Sequence, residues 1–255
     1  AIILCGAGAG LIARLADQNG ADLIVVYSSG WFRMNGMPAI AGNLPLGDSN
    51  QIMYDMGKHD ILPQVKQTPV IAGVYGLDVT RDLSMFIPQL VELGYSGVIS
   101  FPTVAKFSGG MRHELESVGL GFQRELDLLK LSHSMGLFTM SYCYSPEEAK
   151  MIAEAGTDLI ISHVGLTSGG DVGAVGQSPL EEAAERTEAI LSAAKEANPN
   201  IIRLCHGGSI STPEDAQYVI SRTCAQGFVG ASSIERIPVE RALKETLAQY
   251  KAIRT

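Results

Sequence analysis

The fold of this chain is decided by the stretch from Ile201 to Pro238, which reads IIRLCHGGSISTPEDAQYVISRTCAQGFVGASSIERIP. An apolar run over 201–205 ends at His206-Gly207-Gly208, and a second apolar run over 227–231 ends at Ser232-Ser233. A helix start lies between the two runs. Short apolar runs that are bounded by small residues and separated by a helix are typical of buried parallel strands. The stretch therefore predicts a βαβ unit whose two strands end in small residues.

The same alternation of strand and helix runs through the whole chain of 255 residues. Because each strand is followed by a helix before the next strand, the strands are expected to be parallel. The length is typical of one (β/α)8 domain. We therefore predict an α/β protein with a single domain, a (β/α)8 TIM barrel over residues 1–255. Its strands are predicted at 1–5, 22–27, 70–74, 97–101, 138–142, 159–162, 201–205 and 227–231.

The ends of the last two predicted strands lie where barrels of this kind commonly bind a phosphate group. Small residues at adjacent strand ends leave backbone N–H groups free to bind an anion. The sequence therefore predicts a cradle for a phosphate or carboxylate, formed by the amides of Gly207, Gly208, Ser232 and Ser233.

Three predicted helices begin in the same way, with a hydroxyl residue, then a proline, and an acid at the third helical position. This pattern is typical of a capping box in which the proline sets the first helical φ angle. The three starts are Ser145-Pro146-Glu147-Glu148, Ser178-Pro179-Leu180-Glu181 and Thr212-Pro213-Glu214-Asp215.

Three long loops are predicted at the barrel end that carries the anion site. The loop over 28–48 contains Arg33, which either clamps a substrate carboxylate or phosphate or pairs with an acidic neighbour. A second loop follows strand four and contains Lys106. The third loop, over 164–177, contains five glycines and is interpreted as a flap that closes over the site.

The composition, with 46% apolar and 18% charged residues, is that of a globular enzyme. The net charge is −8 and no basic cluster is visible, which argues against nucleic-acid binding. No apolar run approaches the roughly 18 residues of a membrane-spanning helix. We expect neither a membrane partner nor a signal peptide, although the chain opens inside a strand and residues are expected to precede it.

Cysteine usage bears on the cellular compartment. The cysteines Cys5, Cys143, Cys205 and Cys224 are scattered, without the spacing of a disulfide framework. This pattern suits a reducing, cytoplasmic location. Because barrels commonly associate through their outer helices, we also expect a homo-oligomer.

The segment Gly6-Ala7-Gly8-Ala9-Gly10 follows the first predicted strand and partly matches a dinucleotide-binding fingerprint. That fingerprint requires GxGxxG and an acidic residue after the second strand, where this chain has Tyr27-Ser28-Ser29. We favour a tight turn that leaves the barrel mouth open near Gly8.

Two histidines, His163 and His206, follow the neighbouring strands six and seven. A histidine at the end of a barrel strand can act as a general acid or base near neutral pH. The alternative is a rim histidine whose ring bonds to a backbone carbonyl. Two such residues on adjacent strands favour a catalytic role for at least one of them.

Several other residues leave alternatives open. Asp78 or Asp171 could complete a metal site with the histidines, although Asp78 is predicted rather to cap the helix that starts at Asp82. Glu235-Arg236 supplies either an acid and an anion clamp, or an ion pair ahead of the last helix. Since no strand carries or ends on a lysine, Lys106 is the one candidate for a Schiff-base lysine.

Six segments carry a family resemblance: GAGAG, DLIVVYSSGWFRM, FPTV, EAGTDLIISHVGLTSGG, LCHGGSISTPEDAQYV and GFVGASSIERIPVE. In this order they resemble the phosphoenolpyruvate hydrolase-like family of predicted TIM-barrel enzymes, which includes the C-terminal domain of a plant tobamovirus-resistance protein. The resemblance implies a (β/α)8 barrel with one site at its mouth. The chain departs from phosphoenolpyruvate mutases and their relatives in lacking the acidic cluster that holds Mg²⁺ in those enzymes.

The strand ends and the matching positions of the resemblance together place the predicted site. Its catalytic residues are predicted to be His163, His206 and Glu235. Its substrate-binding residues are predicted to be Gly8, Ser29, Arg33, Thr103, Thr167, Gly169, Gly170, Gly207, Gly208, Ser232, Ser233 and Arg236.

The predicted function is that of a hydrolase or lyase acting on a small anionic metabolite, phosphorylated or carboxylated and similar to phosphoenolpyruvate. No cofactor is predicted, but a divalent metal is possible. One alternative is a ligand-sensing barrel without turnover. Another is a metal-dependent hydrolase.

Overall fold

A computed structural model describes residues 1–254. Within these residues eight parallel strands close into a barrel in chain order, with β8 paired to β1. The predicted (β/α)8 barrel is confirmed. The strands are β1 (Ile2–Gly6), β2 (Leu23–Val26), β3 (Val70–Val74), β4 (Gly97–Ser100), β5 (Phe138–Cys143), β6 (Leu159–His163), β7 (Ile202–His206) and β8 (Gly227–Gly230).

Helices alternate with these strands, and the described residues contain ten α-helices. They are α1 (Gly10–Gln18), α2 (Ser28–Met34), α3 (Ser49–Met56), α4 (Leu83–Leu93), α5 (Gly109–Ser117), α6 (Phe122–Ser134), α7 (Pro146–Glu154), α8 (Leu180–Ala197), α9 (Pro213–Ile220) and α10 (Arg236–Lys251). A π-helical turn spans Gly57–Ile61, and 3-10 helices span Ala39–Asn43, Leu62–Gln64 and Val104–Lys106. Within residues 1–254 none of the helices has both the length and the apolar character that crossing a bilayer requires.

Two layers of apolar side chains hold the barrel together. Alternate strand residues, including Leu4, Met140 and Leu204, fill the interior and are fully buried. The residues between them point outward and pack with helix residues, as Cys5 does with Ile12. Burial of one large apolar side chain stabilises the fold by about 1.5–3 kcal/mol. The closed strands therefore form a rigid base for the residues at their carboxyl ends.

The region 28–48 is not the irregular loop that the sequence predicted. It contains α2 and the 3-10 helix Ala39–Asn43. Helix α2 brings its backbone so close to the turn after β1 that a Cβ on Gly30 would lie 3.1 Å from the Cα of Gly8. These glycines serve close backbone packing rather than loop flexibility. The second predicted loop likewise contains a 3-10 helix and α5.

Two of the three predicted capping boxes form at least in part. Thr212 forms a complete box, because its hydroxyl accepts the N–H of Asp215 at 3.2 Å and the Asp215 carboxylate accepts the N–H of Thr212 at 2.9 Å. Ser145 accepts the N–H of Glu148 at 3.2 Å, but the Glu148 carboxylate accepts the N–H of Tyr144 instead.

The third predicted capping box, at Ser178, is wrong. Helix α8 begins at Leu180, and Pro179 has an extended ψ angle of 155°. The helix therefore starts one residue later than predicted, and the Ser178 hydroxyl donates to the carboxylate of Glu182 at 2.8 Å.

The predicted cap at Asp78 is also wrong. The N-cap residue of α4 is Asp82, whose carboxylate accepts the N–H of Ser84 at 2.9 Å. Asp78 instead accepts hydrogen bonds from Arg81 at 2.6 Å and from Asn50 at 3.0 Å. Its carboxylate therefore belongs to a polar cluster between α3 and α4.

Candidate functional site

A cavity of about 400 Å³ lies at the carboxyl ends of the strands. Its floor is aromatic and includes Tyr27, Phe101 and Tyr142, while its polar groups come from strand ends and from the connections that follow them. The polar and charged residues that line it are Ser29, Arg33, Lys106, His163, Thr167, His206, Ser232 and Arg236.

The two predicted histidines meet in this cavity. The registers of β6 and β7 pair His163 directly with His206, and their ring centroids lie 4.8 Å apart. The ring of Tyr144 stacks on His163 at 4.7 Å, and Tyr142 lies 5.3 Å from His206. Both imidazoles are buried. The barrel register and the aromatic contacts therefore fix the positions of both rings.

Hydrogen bonds at the two Nδ1 atoms assign opposite tautomers to the rings. Nδ1 of His206 lies 2.7 Å from the carbonyl oxygen of Val229, which can only accept, so this nitrogen carries the proton. Nδ1 of His163 accepts the N–H of Gly165 at 3.3 Å, so in the neutral ring the proton is on Nε2. The free nitrogen is thus an acceptor on His206 and a donor on His163.

Both rings are held in the neutral form. Burial, together with the charges of Lys106 and Arg33, lowers the pKa of His206 to about 4, although the hydrogen bond to Val229 acts in the opposite direction. Burial and the positive charge of Lys106 likewise hold the pKa of His163 well below its ordinary value. At neutral pH the cavity therefore presents one imidazole base and one imidazole acid.

Three cations line the cavity. Arg33 is fully buried and forms an ion pair with Glu235. Arg236 pairs with Glu240 at 2.8 Å and donates to the carbonyl of Gly169 at 2.9 Å. Arg33 therefore pairs with an acidic neighbour, which was one of its two predicted alternatives. Glu235 and Arg236 do not pair with each other, because Glu235 pairs with Arg33 and Arg236 pairs with Glu240.

Lys106 is the third cation and was absent from the predicted site. It ends the 3-10 helix after β4, and its Nζ lies 3.4 Å from Oδ1 of Asn43 and 5.9 Å from the centre of the Phe101 ring. Burial lowers its pKa to about 8. The sequence signal was weak, because a lysine in a predicted loop is ordinarily exposed.

Glu235 and Gly8 lie behind the cavity wall rather than in it. The Glu235 carboxylate is fully buried and accepts the N–H of Gly8 at 2.8 Å in addition to its contact with Arg33. Glu235 was predicted to be catalytic, but the protein itself engages both of its carboxylate oxygens. We therefore assign it the role of holding Arg33 in place.

The predicted amide cradle does not form as expected. The N–H of Gly208 donates to the carbonyl of Gly165 at 2.8 Å, and Gly207 and Gly208 adopt positive φ angles of 85° and 60°. The two glycines therefore make a tight turn against Gly165. Ser232 lines the cavity, whereas Ser233 lines a separate cavity on the outer face of the barrel.

Of the remaining predicted binding residues, some line the cavity and others do not. Ser29 and Thr167 line the cavity. Thr103 does not, since its hydroxyl donates to the buried carboxylate of Glu125 at 3.0 Å. Gly169 and Gly170 lie in the β6–α8 connection, close to the guanidinium of Arg236.

The donor set of the mouth does not fit a divalent metal. Among residues 1–254 no three His, Cys, Asp or Glu side chains are grouped to hold an ion, and no Asp or Glu lines the cavity. Both predicted carboxylate partners are engaged elsewhere, Asp78 with Arg81 and Asp171 with Lys244. Hard cations such as Mg²⁺ require oxygen ligands. The cation-lined mouth is suited to an anion instead.

The fold and the site define a class, the (β/α)8 barrels with a polar site at the carboxyl ends of the strands, where barrel enzymes have their active sites. The phosphoenolpyruvate hydrolase-like family model matches residues 1–253. The chain belongs to this family.

Two relatives show how much of a longer protein the chain resembles. It is 46% identical over 253 residues to the "ToMV susceptible protein tm-1(GCR26)" of Solanum lycopersicum, covering 99% of the chain and 33% of the relative. It is 31% identical over 248 residues to the "Putative transcriptional regulatory protein y4pA" of Sinorhizobium fredii, covering 97% and 41%. The chain therefore spans well under half the length of these relatives.

Solved structures with the same fold are more distant in sequence. A phosphonopyruvate hydrolase in complex with oxalate and Mg²⁺ has a TM-score of 0.63 at 15% identity, with 98% of this chain and 82% of that chain covered. An oxaloacetate acetylhydrolase in complex with the product oxalate has a TM-score of 0.59 at 17% identity, with 98% and 82% covered. These likenesses show the barrel fold.

Proposed function

We propose that this protein is a hydrolase or lyase that acts on a small anionic metabolite, carboxylated or phosphorylated and similar to phosphoenolpyruvate. One observation carries the proposal: two neutral histidines of opposite tautomer share a cavity with three cations. The cations favour a negative ligand, and the imidazoles can move protons on it.

The charge of the cavity supports an anionic substrate. Lys106, Arg33 and Arg236 line it, whereas no acidic residue of the described chain does. The volume of about 400 Å³ suits a small metabolite. Developing negative charge on a substrate oxygen would be stabilised by these fixed donors, which need little reorganisation during the reaction.

The tautomers support a division of labour between the histidines. Nε2 of His206 is a free acceptor and would remove a proton from water or substrate as the general base. Nε2–H of His163 would donate a proton to the leaving group or to a carbonyl oxygen as the general acid.

The solved neighbours suggest which substrates to test. Their names include phosphonopyruvate hydrolase, phosphoenolpyruvate phosphomutase and oxaloacetate acetylhydrolase. We propose phosphonopyruvate, phosphoenolpyruvate and oxaloacetate as the first panel, with products identified by NMR.

The test replaces each histidine singly. On a substrate that is turned over, His163→Gln and His206→Gln should each lower kcat by about a hundredfold or more, because a general acid or base commonly contributes this much. The exposed His59→Gln is the matched control and should retain the full rate. Full rates in both cavity variants would refute the acid–base assignment.

A second candidate function is a ligand-sensing barrel without turnover. The names of the relatives favour it, since they are a tomato virus susceptibility protein and a putative transcriptional regulator. A thermal-shift screen followed by product analysis separates the two functions. Stabilisation by an anion without any product after long incubation supports sensing.

We also propose that two copies of the chain associate. The support is the last helix, α10, in which every residue from Arg241 to Lys251 is exposed. Among these residues Leu243, Leu247 and Tyr250 form an exposed apolar face, which a second copy can cover.

A further inference from the structure

We infer that the substrate is a 2-oxo acid and that Nζ of Lys106 bonds to its carbonyl carbon to form an imine. This inference rests on the proposed function and narrows it, since it names the substrate class and a covalent step at the same cavity. The amine nitrogen attacks C2, the carbonyl oxygen takes up protons and leaves as water, and the C=N bond remains.

The position of Lys106 is set by a buried network. The carboxylate of Glu125 accepts the N–H of Val104 at 2.7 Å and the hydroxyl of Thr103 at 3.0 Å. The Thr103 hydroxyl in turn accepts the N–H of Ala105 at 3.0 Å. The short helix that ends in Lys106 is therefore anchored to the barrel, and the lysine extends from a fixed base.

The surroundings of the amine differ from those of every other lysine. Lys106 is partly buried in the cavity wall, whereas Lys58, Lys66, Lys130, Lys150, Lys195, Lys244 and Lys251 are exposed. In the part of the chain that the structure describes, no carboxylate pairs with the Lys106 amine, and the nearest polar contact is the neutral Asn43 side chain. An ion pair therefore does not hold it in the charged form.

A nucleophilic amine must be uncharged, and burial favours the uncharged form. With its pKa near 8, about a tenth of Lys106 is neutral at pH 7. An ordinary exposed lysine, with a pKa near 10.4, is neutral only to about 0.04% at that pH. Lys106 therefore has a roughly two-hundredfold larger reactive fraction.

The neighbours of Lys106 supply what imine formation needs. His163 lies in the same cavity with a proton on Nε2, and this group can protonate the departing oxygen. Arg236 and Arg33 line the same cavity and attract the substrate carboxylate. Once protonated, an imine accepts the electron pair of a bond that breaks at C3, which is the chemistry that a lyase requires.

The test traps the imine with a simple probe. The protein is incubated with pyruvate and sodium borohydride, which reduces the C=N bond to a stable secondary amine, and the adduct is located by peptide mass spectrometry. We expect one adduct per chain, at Lys106. Lys106→Arg should lose this adduct, while Lys58→Arg, a matched surface control, should keep it.

The pH dependence gives a second readout. Trapping at Lys106 should rise about tenfold between pH 7 and pH 9, following the neutral fraction of a group with a pKa near 8. Trapping at an ordinary exposed lysine should rise about a hundredfold over the same range. A hundredfold rise at Lys106 would overturn the inference.

Anion binding is measured in parallel by thermal shift with oxalate and pyruvate, so that two failures can be distinguished. If both anions stabilise the protein but pyruvate leaves no adduct at Lys106, the imine is refuted and the anionic-substrate proposal stands. If neither anion binds and no adduct forms, both the imine and the anionic-substrate proposal are refuted. Circular dichroism of Lys106→Arg and of a second variant, Lys106→Met, checks that loss of the adduct reflects the amine and not the fold.

Discussion

The ring centroids of His163 and His206 lie 4.8 Å apart, and a proton taken up by either ring would face Lys106 in the same cavity. Each positive charge disfavours the next, so the imidazoles and the lysine compete for protons. Both imidazoles therefore stay neutral across the neutral pH range, with a free acceptor nitrogen on His206 and a free donor nitrogen on His163. This competition also leads to a prediction about stability.

The stability cost of burying a neutral His206 should appear in acid. The pKa of His206 is about 4 in the folded protein and 6.5 ordinarily, so between these values the unfolded chain binds a proton that the folded chain excludes. Stability is therefore lost as the pH falls from 6.5 towards 4, by about 2 kcal/mol at pH 5. The measurement compares urea unfolding of the wild type and His206→Gln at pH 7.5 and pH 5. The variant should gain about 2 kcal/mol relative to the wild type at the lower pH. An identical difference at both pH values would contradict this account.

The buried pair of Arg33 and Glu235 should matter for folding more than for proton transfer. The substitution Glu235→Gln leaves the Arg33 charge buried without a counter-charge. We expect it to lower the free energy of unfolding by about 3–5 kcal/mol. Glu240→Gln is the control, because the Glu240 carboxylate is partly exposed, unlike that of Glu235, and we expect a loss of about 1 kcal/mol or less. Urea unfolding measures both. Equal small losses in the two variants would show that the buried pair is not important for stability.

The site was only partly predictable at the scale of residues. The positions of His163 and His206 follow from strand ends, because the ends of parallel strands meet at one rim. The turn at Gly207-Gly208 did not follow, since a glycine pair signals free amides and a positive-φ turn equally well. Lys106 was named only as a Schiff-base candidate and was left out of the predicted site, because the turn that carries it is anchored by Glu125, 19 residues further along the chain.

At the scale of elements, the 3-10 helix Val104–Lys106 depends on one buried carboxylate. Glu125→Ala removes the acceptor for the Ser100 and Thr103 hydroxyls and the Val104 N–H, and we expect a loss of about 2–4 kcal/mol in the free energy of unfolding. The same variant should lose pyruvate trapping at Lys106, because the lysine loses its anchor.

Glu125→Gln is the matched control for this prediction. Burial raises the pKa of Glu125 to about 7, so the carboxyl is already protonated in about half of the molecules at neutral pH. A neutral amide should therefore be tolerated with a loss below about 1 kcal/mol, and trapping should persist. A large loss in the Gln variant would mean that the turn needs the negative charge or the second acceptor oxygen of the carboxylate, which the amide does not supply.

The strands were far more predictable than the short helices. Every predicted strand agrees with the structure to within one residue at each end, because a strand buried on both faces reads as a continuous apolar run. Helix α2, with seven residues, and α5, with none of its residues buried, carry no such pattern. Helices of this length are marginal by themselves and depend on tertiary contacts that a single sequence does not display.

At the scale of the whole molecule, the layer of helices around the closed barrel leaves one side of the sheet uncovered. Two cavities of about 300 and 320 Å³ flank the outer face of β1 and share Ile3 and Ile234 in their walls. They lie between α9 and α1, where the helix after β8 would ordinarily cover the sheet. Helix α10 instead leaves its apolar residues Leu243, Leu247 and Tyr250 exposed by 57%, 61% and 67%.

The exposed face of α10 complements the apolar groove that these two cavities form along the outer face of β1. Leu243, Leu247 and Tyr250 are spaced to lie on one face of α10, and each copy of the chain offers one such face and one apolar groove. A pair of copies that exchange α10 would satisfy both surfaces through a closed two-fold contact. The N-terminal part of α10 also holds the β6–α8 connection through Glu240, which accepts the N–H of Asp171 at 3.0 Å. Association would thereby fix one side of the predicted flap over the mouth.

The dimer is tested by molar mass in solution. Light scattering coupled to size exclusion should give twice the chain mass for the wild type at micromolar concentrations, and close to one chain mass for the double variant Leu243→Glu with Leu247→Glu. Two buried carboxylates would oppose the apolar contact strongly, since a charge without a partner is costly to bury. Glu245→Gln, on the opposite face of α10, is the control and should stay dimeric. A wild type that remains monomeric at every concentration contradicts a second copy as the occupant of the groove, and an unchanged mass in the double variant contradicts the role of α10.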